Sequence, residues 1–508
     1  MRKILVTTII SLLTLLTSQE LSYAKLPASR TLLGREIRLV VQHAGLRHTV
    51  KAIEVYSRKN REILYHSNSQ LLLNPASNLK IVTTSFTLDK LGKDFTFNTL
   101  FAAYGKWHDN ALSGDLVIKA SGDPIVSDVD LDSCAREIAA HHLNRIDGNI
   151  LVDISSFDTL EWGTGWMWDD EPQAYAMFIS PASVDHDAIS AEIGVNPVTH
   201  KLFIFLQPNT RFVKTISYAV PGTIDSLVVT RVMDNDTNTV VVQGTFTQEL
   251  TDTVYQFSVR RPAMYFGSLL KEALERNGVK VLGQVTTTRN PISTDSLQSL
   301  FELTQSIDTV VTYVNKVSDN LGAECLLRDV AHIVKGGAGS AESGIKLEKL
   351  YLRSCGVDSS EYVIVDGSGV SRYDVITPSA LVKVLNHVLS GPEGKVFFRS
   401  LPVAGYDGTL QDRMRQRFIA GKVHAKTGSL SGVSTLSGYV VIPGDTLVFS
   451  MMMQNYPARI DSSISALQNE ICRILALYSG NVRAFRHNLW VNRVGTYGPE
   501  YRRRSIQH

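Results

Sequence analysis

A serine placed three residues ahead of a lysine at the start of a helix can carry its own base. Ser77 and Lys80 stand at that spacing in Asn74-Pro75-Ala76-Ser77-Asn78-Leu79-Lys80. Residues three apart on a helix share a face, so the Lys80 amine can fold back onto the Ser77 hydroxyl and take its proton as it attacks a carbonyl. The spelling alone decides nothing, because Ser-x-x-Lys recurs at Ser22, Ser268 and Ser343. Only the copy at Ser77 is followed, in order, by Ser318-Asp319-Asn320 and Lys426-Thr427-Gly428, and Ser-Asp-Asn and Lys-Thr-Gly each occur once.

Taken singly, Ser77 or Ser318 could be a helix cap and Lys426 an exposed strand lysine. Taken as an ordered set they meet the requirements of acyl transfer. Burial and a second ammonium at Lys426 would both lower the pKa of Lys80, leaving it neutral enough to act as the base. Ser318 could relay the proton to a leaving amine, and Asn320 could hold both Lys80 and a substrate amide. Lys426 and Thr427, on an edge strand, would bind a substrate carboxylate, and Gly428 would let the substrate backbone approach closely. The N–H groups of Ser77 and Ser429 would form an oxyanion hole. No metal or organic cofactor is needed.

These groups must be positioned by elements that the sequence also predicts. Ile81, Val82, Phe86, Leu88 and Leu91 predict a mostly buried helix behind Ser77, with Pro75 marking its start. Ile37 to Ser67 reads as short β segments that end in a hairpin, Ala52–Tyr56 with Ile63–Tyr65. Ile307 to Val317 and Asn320 to Val334 read as helices broken around Ser318. Leu436–Val441 and Leu447–Met451, joined by Pro443-Gly444-Asp445, read as an antiparallel hairpin, followed by a closing helix striped by Ile464, Leu467, Ile471, Ile474, Leu475 and Tyr478. Between the two halves the texture changes to strands and turns, with one helix over Leu131 to Leu143 and an aromatic loop, Trp162 to Asp170.

At 508 residues the chain exceeds one ordinary core, and about one domain per 150 residues suggests roughly three. The expected organisation is a targeting segment over 1–24, a catalytic α/β domain from 25–97 and 299–480, an inserted, mostly-β domain over 98–298 with a smaller β unit nested at about 190–260, and a basic tail over 481–508. The leader reading rests on Arg2 and Lys3 ahead of the apolar run Ile4 to Leu16, with Ser22-Tyr23-Ala24 as a cleavage site. It predicts an exported, periplasmic or otherwise extracytoplasmic protein. A net charge of +2 argues against broad nucleic-acid binding. The tail carries Arg483, Arg486, Arg493, Arg502, Arg503 and Arg504 against Glu500; a solvated, partly disordered tail is the preferred reading, and peripheral contact with an anionic membrane is the alternative. Cys134, Cys325, Cys355 and Cys472 have no metal-ligand or redox spacing, and Cys325 and Cys472 fall on apolar helix faces.

With these motifs in place the chain resembles the S13 peptidase family, the low-molecular-mass class C penicillin-binding proteins with D-alanyl-D-alanine carboxypeptidase and endopeptidase activity. The resemblance spans almost the whole mature chain. It rests on Asn74 to Lys80, Asn315 to Asn320 with Ala323-Glu324, Asp366-Gly367-Ser368-Gly369-Val370-Ser371-Arg372, and His424 to Ser429. It implies a serine β-lactamase/transpeptidase-like α/β sandwich, an antiparallel sheet with helices, interrupted by nested inserted domains. It also implies peptidoglycan peptide stems as substrate and β-lactams as covalent inhibitors. From the family, Asp170, with Tyr175 nearby, would hold the amino end of a diaminopimelate side chain, and Arg372 the carboxylate on that end. Some relatives have glutamine two residues after the Gly-Ser of the third motif, where this chain has Ser431. Two other readings remain: a serine β-lactamase, against which the long interval after Lys80 counts because the class A deacylating glutamate follows the nucleophile closely, and a non-catalytic wall-binding scaffold.

Overall fold

The computed structural model describes residues 28–43, 46–232 and 238–494. The leader over 1–24 and Arg502 to Arg504 lie outside the described residues. Among those described, no helix is long and apolar enough to cross a membrane.

The architecture is mixed α/β, as expected. A five-stranded antiparallel sheet runs in the order Glu62–Ser67, Val50–Ser57, Asp445–Gln454, Val433–Ile442, Val423–Leu430. The last of these is an edge strand, and it carries the third motif. Ile442 pairs with Asp445, so Pro443-Gly444 is a two-residue turn with Gly444 at φ 77°, a conformation that glycine adopts without a Cβ penalty. Strand residues alternate between the sheet's two faces. Ala52, Tyr439, Val448 and Met452 face a core shared with helices Leu79–Leu91, Asn320–Lys335, Ala341–Ser354 and Pro378–Ser390. Ile53, Val55, Val440, Leu447 and Phe449 face a second core closed by Asp461–Leu477.

Four elements differ from the sequence expectation. Residues Ala28–His43 are helical, so the β texture begins only at Val50 rather than Ile37. Leu33 and Ile37 stand one turn apart and are fully buried, which turns a β-branched run into the inner face of a helix. Within the inserted stretch a second helix, Pro262–Arg276, starts with proline at its first turn and buries Phe266, Leu269, Leu270, Ala273 and Leu274. The first helix there is Asp128–Ala140, three residues earlier than expected, because Ser127 and Asp130 form a capping box. In the tail, Val482–Val494 is a helix whose Phe485 and Leu489 are buried, with the Phe485 ring 5.4 Å from Tyr478. Arg483 and Arg486 occupy its exposed side.

The long insertion has its own sheet. Thr96–His108 pairs antiparallel with both Ala111–Lys119 and Gln298–Ser306, so the chain leaves and re-enters through neighbouring strands. A smaller group, Ala188–Val195 with Leu202–Gln207 and Thr253–Ser258, forms a separate antiparallel sheet. The two share one core with both helices. All four cysteines are buried, free thiols.

Candidate active site

Ser77 lies in a 3-10 turn, Ala76–Asn78, that runs directly into the helix Leu79–Leu91. Ala76 is held at φ 45°, an unusual state for alanine. Its neighbours pin it there. Asn74 accepts the Ala76 N–H at 2.9 Å and donates to the Ser371 and Asp374 carbonyls. Thr435 and Gln454 donate to the Pro75 and Asn74 carbonyls, and Asn78 donates to the Lys426 carbonyl at 2.9 Å. The Ser77 turn is thus bolted to the third-motif strand. A Cβ at Gly428 would stand 2.9 Å from the Ser77 nitrogen, so no larger residue fits between strand and turn.

Lys80 is fully buried. Its Nζ lies 3.1 Å from Ser77 Oγ, 2.6 Å from Asn320 Oδ1 and 2.7 Å from the Ser368 carbonyl. Burial lowers its pKa to about 8, against the pull of Asp366, Asp319 and Glu324, which favour the charged form. Lys426 is also fully buried, and burial followed by the Lys80 charge holds it well below the ordinary lysine value. The sequence expectation that Lys426 would help depress Lys80 is thus reversed in emphasis: the clearer effect runs from Lys80 to Lys426, and three carboxylates work against the depression of Lys80.

Ser318 closes a π-turn, Val314–Ser318, at φ 66°, and Asp319 then caps the helix Asn320–Lys335, accepting the Gly322 N–H at 2.6 Å. This break in the helix swings Asn320 inward. Its Nδ2 donates to the Tyr175 carbonyl at 2.7 Å, tying the second motif to the loop that carries Asp170. Tyr175 donates its hydroxyl to Asp170 Oδ1 at 2.6 Å, while Met167 N–H occupies Oδ2 at 3.0 Å. Arg372 is exposed and donates to the Ser431 carbonyl at 3.2 Å. Thr427 donates to Thr409 at 2.7 Å, and Ser429 is exposed on the edge strand.

Some contributors were not assigned a role from sequence. Asp366 accepts N–H groups from Ser368, Gly369 and Ser371 and, at 2.9 Å, the indole N–H of buried Trp166. Glu324, paired at 2.9 Å with buried Arg328, accepts the N–H groups of Gly367 and Ser368. Together these carboxylates shape the loop whose Ser368 carbonyl receives Lys80. Asp366 and Glu324 stand inside the segments that mark the family resemblance, but nothing in their spacing signals which backbone they hold. A cleft of about 730 Å³ opens beside Ser318 and Asn320, toward the inserted unit.

With the geometry described, comparison with known proteins is informative. Residues 34–475 match the model of the D-Ala-D-Ala carboxypeptidase 3 (S13) family. The chain is 32% identical over 471 residues to a D-alanyl-D-alanine carboxypeptidase of Actinomadura sp. (strain R39), covering 89% of this chain and 86% of that protein. Among solved structures, penicillin binding protein 4 (dacB) from Haemophilus influenzae superposes with a TM-score of 0.76 at 23% identity, over 87% of this chain and 99% of that one, a likeness of fold. The same protein has been solved in complex with a β-lactam.

Proposed function

The chain belongs to the D-Ala-D-Ala carboxypeptidase 3 (S13) family, and from that premise we propose that it hydrolyses the D-Ala-D-Ala bond of peptidoglycan stems, and D-Ala-diaminopimelate cross-links, through an acyl-enzyme on Ser77. One observation carries the assignment: a buried lysine amine of lowered pKa stands 3.1 Å from the serine hydroxyl.

In the reaction Ser77 Oγ attacks the carbonyl carbon of the penultimate D-Ala and its proton passes to Lys80 Nζ. The N–H groups of Ser77 and Ser429 receive the oxyanion; a single such donor is worth about 100- to 1,000-fold in rate. Ser318 relays the proton to the departing amine as the C–N bond breaks. Water then attacks the ester and regenerates Ser77. Lys426 and Thr427 take the carboxylate of the leaving residue. An arriving carboxylate supplies the counter-charge that buried Lys426 lacks, raising its pKa, and the resulting ammonium in turn disfavours a proton on Lys80. Substrate binding thereby makes the base. Asp170, Tyr175 and Arg372 read the charged end of the third residue, and β-lactams acylate the same serine. A periplasmic location, with residues 1–24 as the leader, suits this substrate.

Intact-mass spectrometry of the mature protein with penicillin tests the assignment. A stable adduct on the wild type and none on Ser77→Ala is the expected result. An adduct that vanishes within seconds would instead support a β-lactamase, and no adduct on either would support a binding scaffold.

A further inference from the structure

The second motif is braced by the inserted unit. Asp185, His186 and Asp187 sit at φ 48°, 57° and 50°, the one run of consecutive non-glycine residues at positive φ among the described residues. Such a conformation persists only where the surroundings enforce it. Here Asp187 accepts the Val184 N–H at 3.1 Å and donates its own N–H to the Val184 carbonyl at 2.8 Å, while Asp185 accepts the Asp128 N–H at 3.2 Å. The turn carries His186 out of its own unit. Its Nδ1 lies 3.3 Å from Asp319 Oδ1, and Tyr313 Oη lies 2.7 Å from Nε2, with the two rings nearly parallel and 5.0 Å apart. Both ring nitrogens thus face groups of the segment that carries Ser318 and Asn320.

The Asp319 carboxylate is shared between two duties. One oxygen caps the helix that begins with Asn320, and the other meets His186. Turning that carboxylate would move Ser318 on one side and Asn320, which holds Lys80, on the other. We propose that His186 is a positioning residue: through Asp319 and Tyr313 it lets the inserted unit set the placement of Ser318 and Asn320 against Lys80. The inference rests on the roles given above to Ser318 and Asn320. It gives the inserted unit a part in the chemistry beyond the substrate contacts of Asp170 and Tyr175. The charged and titratable groups around His186 are Asp319 and Tyr313 from the second-motif segment, Asp185 and Asp187 from its own turn, and Asp128 across the same cleft. Burial lowers the His186 pKa, and Asp319, Asp187 and Asp185 outweigh it, so the net direction is upward.

The test is stopped-flow acylation by a chromogenic β-lactam, using the full mature chain. His186→Gly keeps the left-handed turn without strain and removes both ring nitrogens, and it should slow acylation about 10- to 100-fold, the scale of a small misplacement of a reacting group. His186→Asn, whose amide nitrogen is bonded to Cγ as Nδ1 is and so faces Asp319, tolerates the same turn and should recover most of the rate, and thermal melts of both should match the wild type within a few degrees. In an Asp319→Asn background, His186→Gly should cost little more. The inference is overturned if His186→Gly acylates at the wild-type rate, if Asn is as slow as Gly, or if the effects of the His186 and Asp319 substitutions multiply. A wild type that forms no adduct overturns the site reading and this inference with it, whereas a wild type that labels beside an equally fast His186→Gly overturns this inference alone.

Discussion

Lys80 and Lys426 are both fully buried, whereas Tyr175, which lines the cleft beside Ser318, and Arg372, which lines a second cavity with Asn74 and Ser431, are exposed. The interior amines are held by neutral oxygens: Asn320 Oδ1, the Ser368 carbonyl and Ser77 Oγ for Lys80, at 2.6, 2.7 and 3.1 Å, and the Thr427 carbonyl for Lys426 at 3.0 Å. The rim charges are held by one another and by their own loops, as in Asp170 with Tyr175 and Met167. A buried charge is costly unless paired, and its pKa moves readily. An exposed one costs little and keeps its charge. On the proposed function the difference teaches a division of labour: chemistry that needs a proton to move sits in the dry interior, and recognition of a charged substrate sits where water still screens mistakes.

Substitutions can break that division, and the largest effects belong to the interior. Ser77→Ala should abolish β-lactam labelling by intact mass. Lys80→Met should cut the acylation rate about 100- to 10,000-fold, the range expected for a lost general base. The same substitution should lower the melting temperature by several degrees, because it leaves the Ser368 carbonyl and Asn320 Oδ1 without their donor. Asp366→Asn sits at the boundary between the two regions. It removes an acid that stabilises charged Lys80, so the pH midpoint of acylation should move downward, while the weakened contact with Trp166 loosens the recognition loop. Rim substitutions should separate substrates. Arg372→Ala or Asp170→Asn should leave penicillin acylation nearly unchanged but lower kcat/KM about tenfold for a peptide with a charged third residue, a loss of about 1.4 kcal/mol. If the rim substitutions slow penicillin as much as peptide, the division fails.

The smallest effect concerns Glu348, buried beneath Thr83, where burial raises its carboxyl pKa to about 8. A folded-state pKa above the unfolded one contributes stability that is full below about 4.5 and is lost progressively as pH rises from there to about 8. Glu348→Gln should therefore flatten the decline of the melting temperature between about pH 4.5 and 8 by a few degrees.

Much of the interior was legible in the sequence because it is written locally. Ser77 and Lys80 are one helical turn apart, and Ser318 and Asn320 flank one residue, so short spelling encodes their geometry. The five-stranded sheet was legible at its hairpin, where Pro443-Gly444 marks the turn. The helix Ala28–His43 was not, because Ile37 to Val41 is rich in residues that suit either a strand or a buried helix face, and only tertiary packing chooses. The roles of Asp366, Glu324 and His186 were illegible for another reason. Glu324 and His186 act on partners distant in sequence, and Asp366 gathers nearby amides, through backbone atoms or a carboxylate that any residue order could supply.

The most direct test of the central claim, that Lys80 in its buried setting is the base for Ser77, is the pH dependence of acylation by a neutral-acting β-lactam under single-turnover conditions. The account predicts a second-order acylation constant, which reports the free protein, that rises with pH through a midpoint near 8, where the buried amine loses its proton, and no such limb in Lys80→Met. A rate that is flat across that interval, or a limb that survives in Lys80→Met, would contradict it.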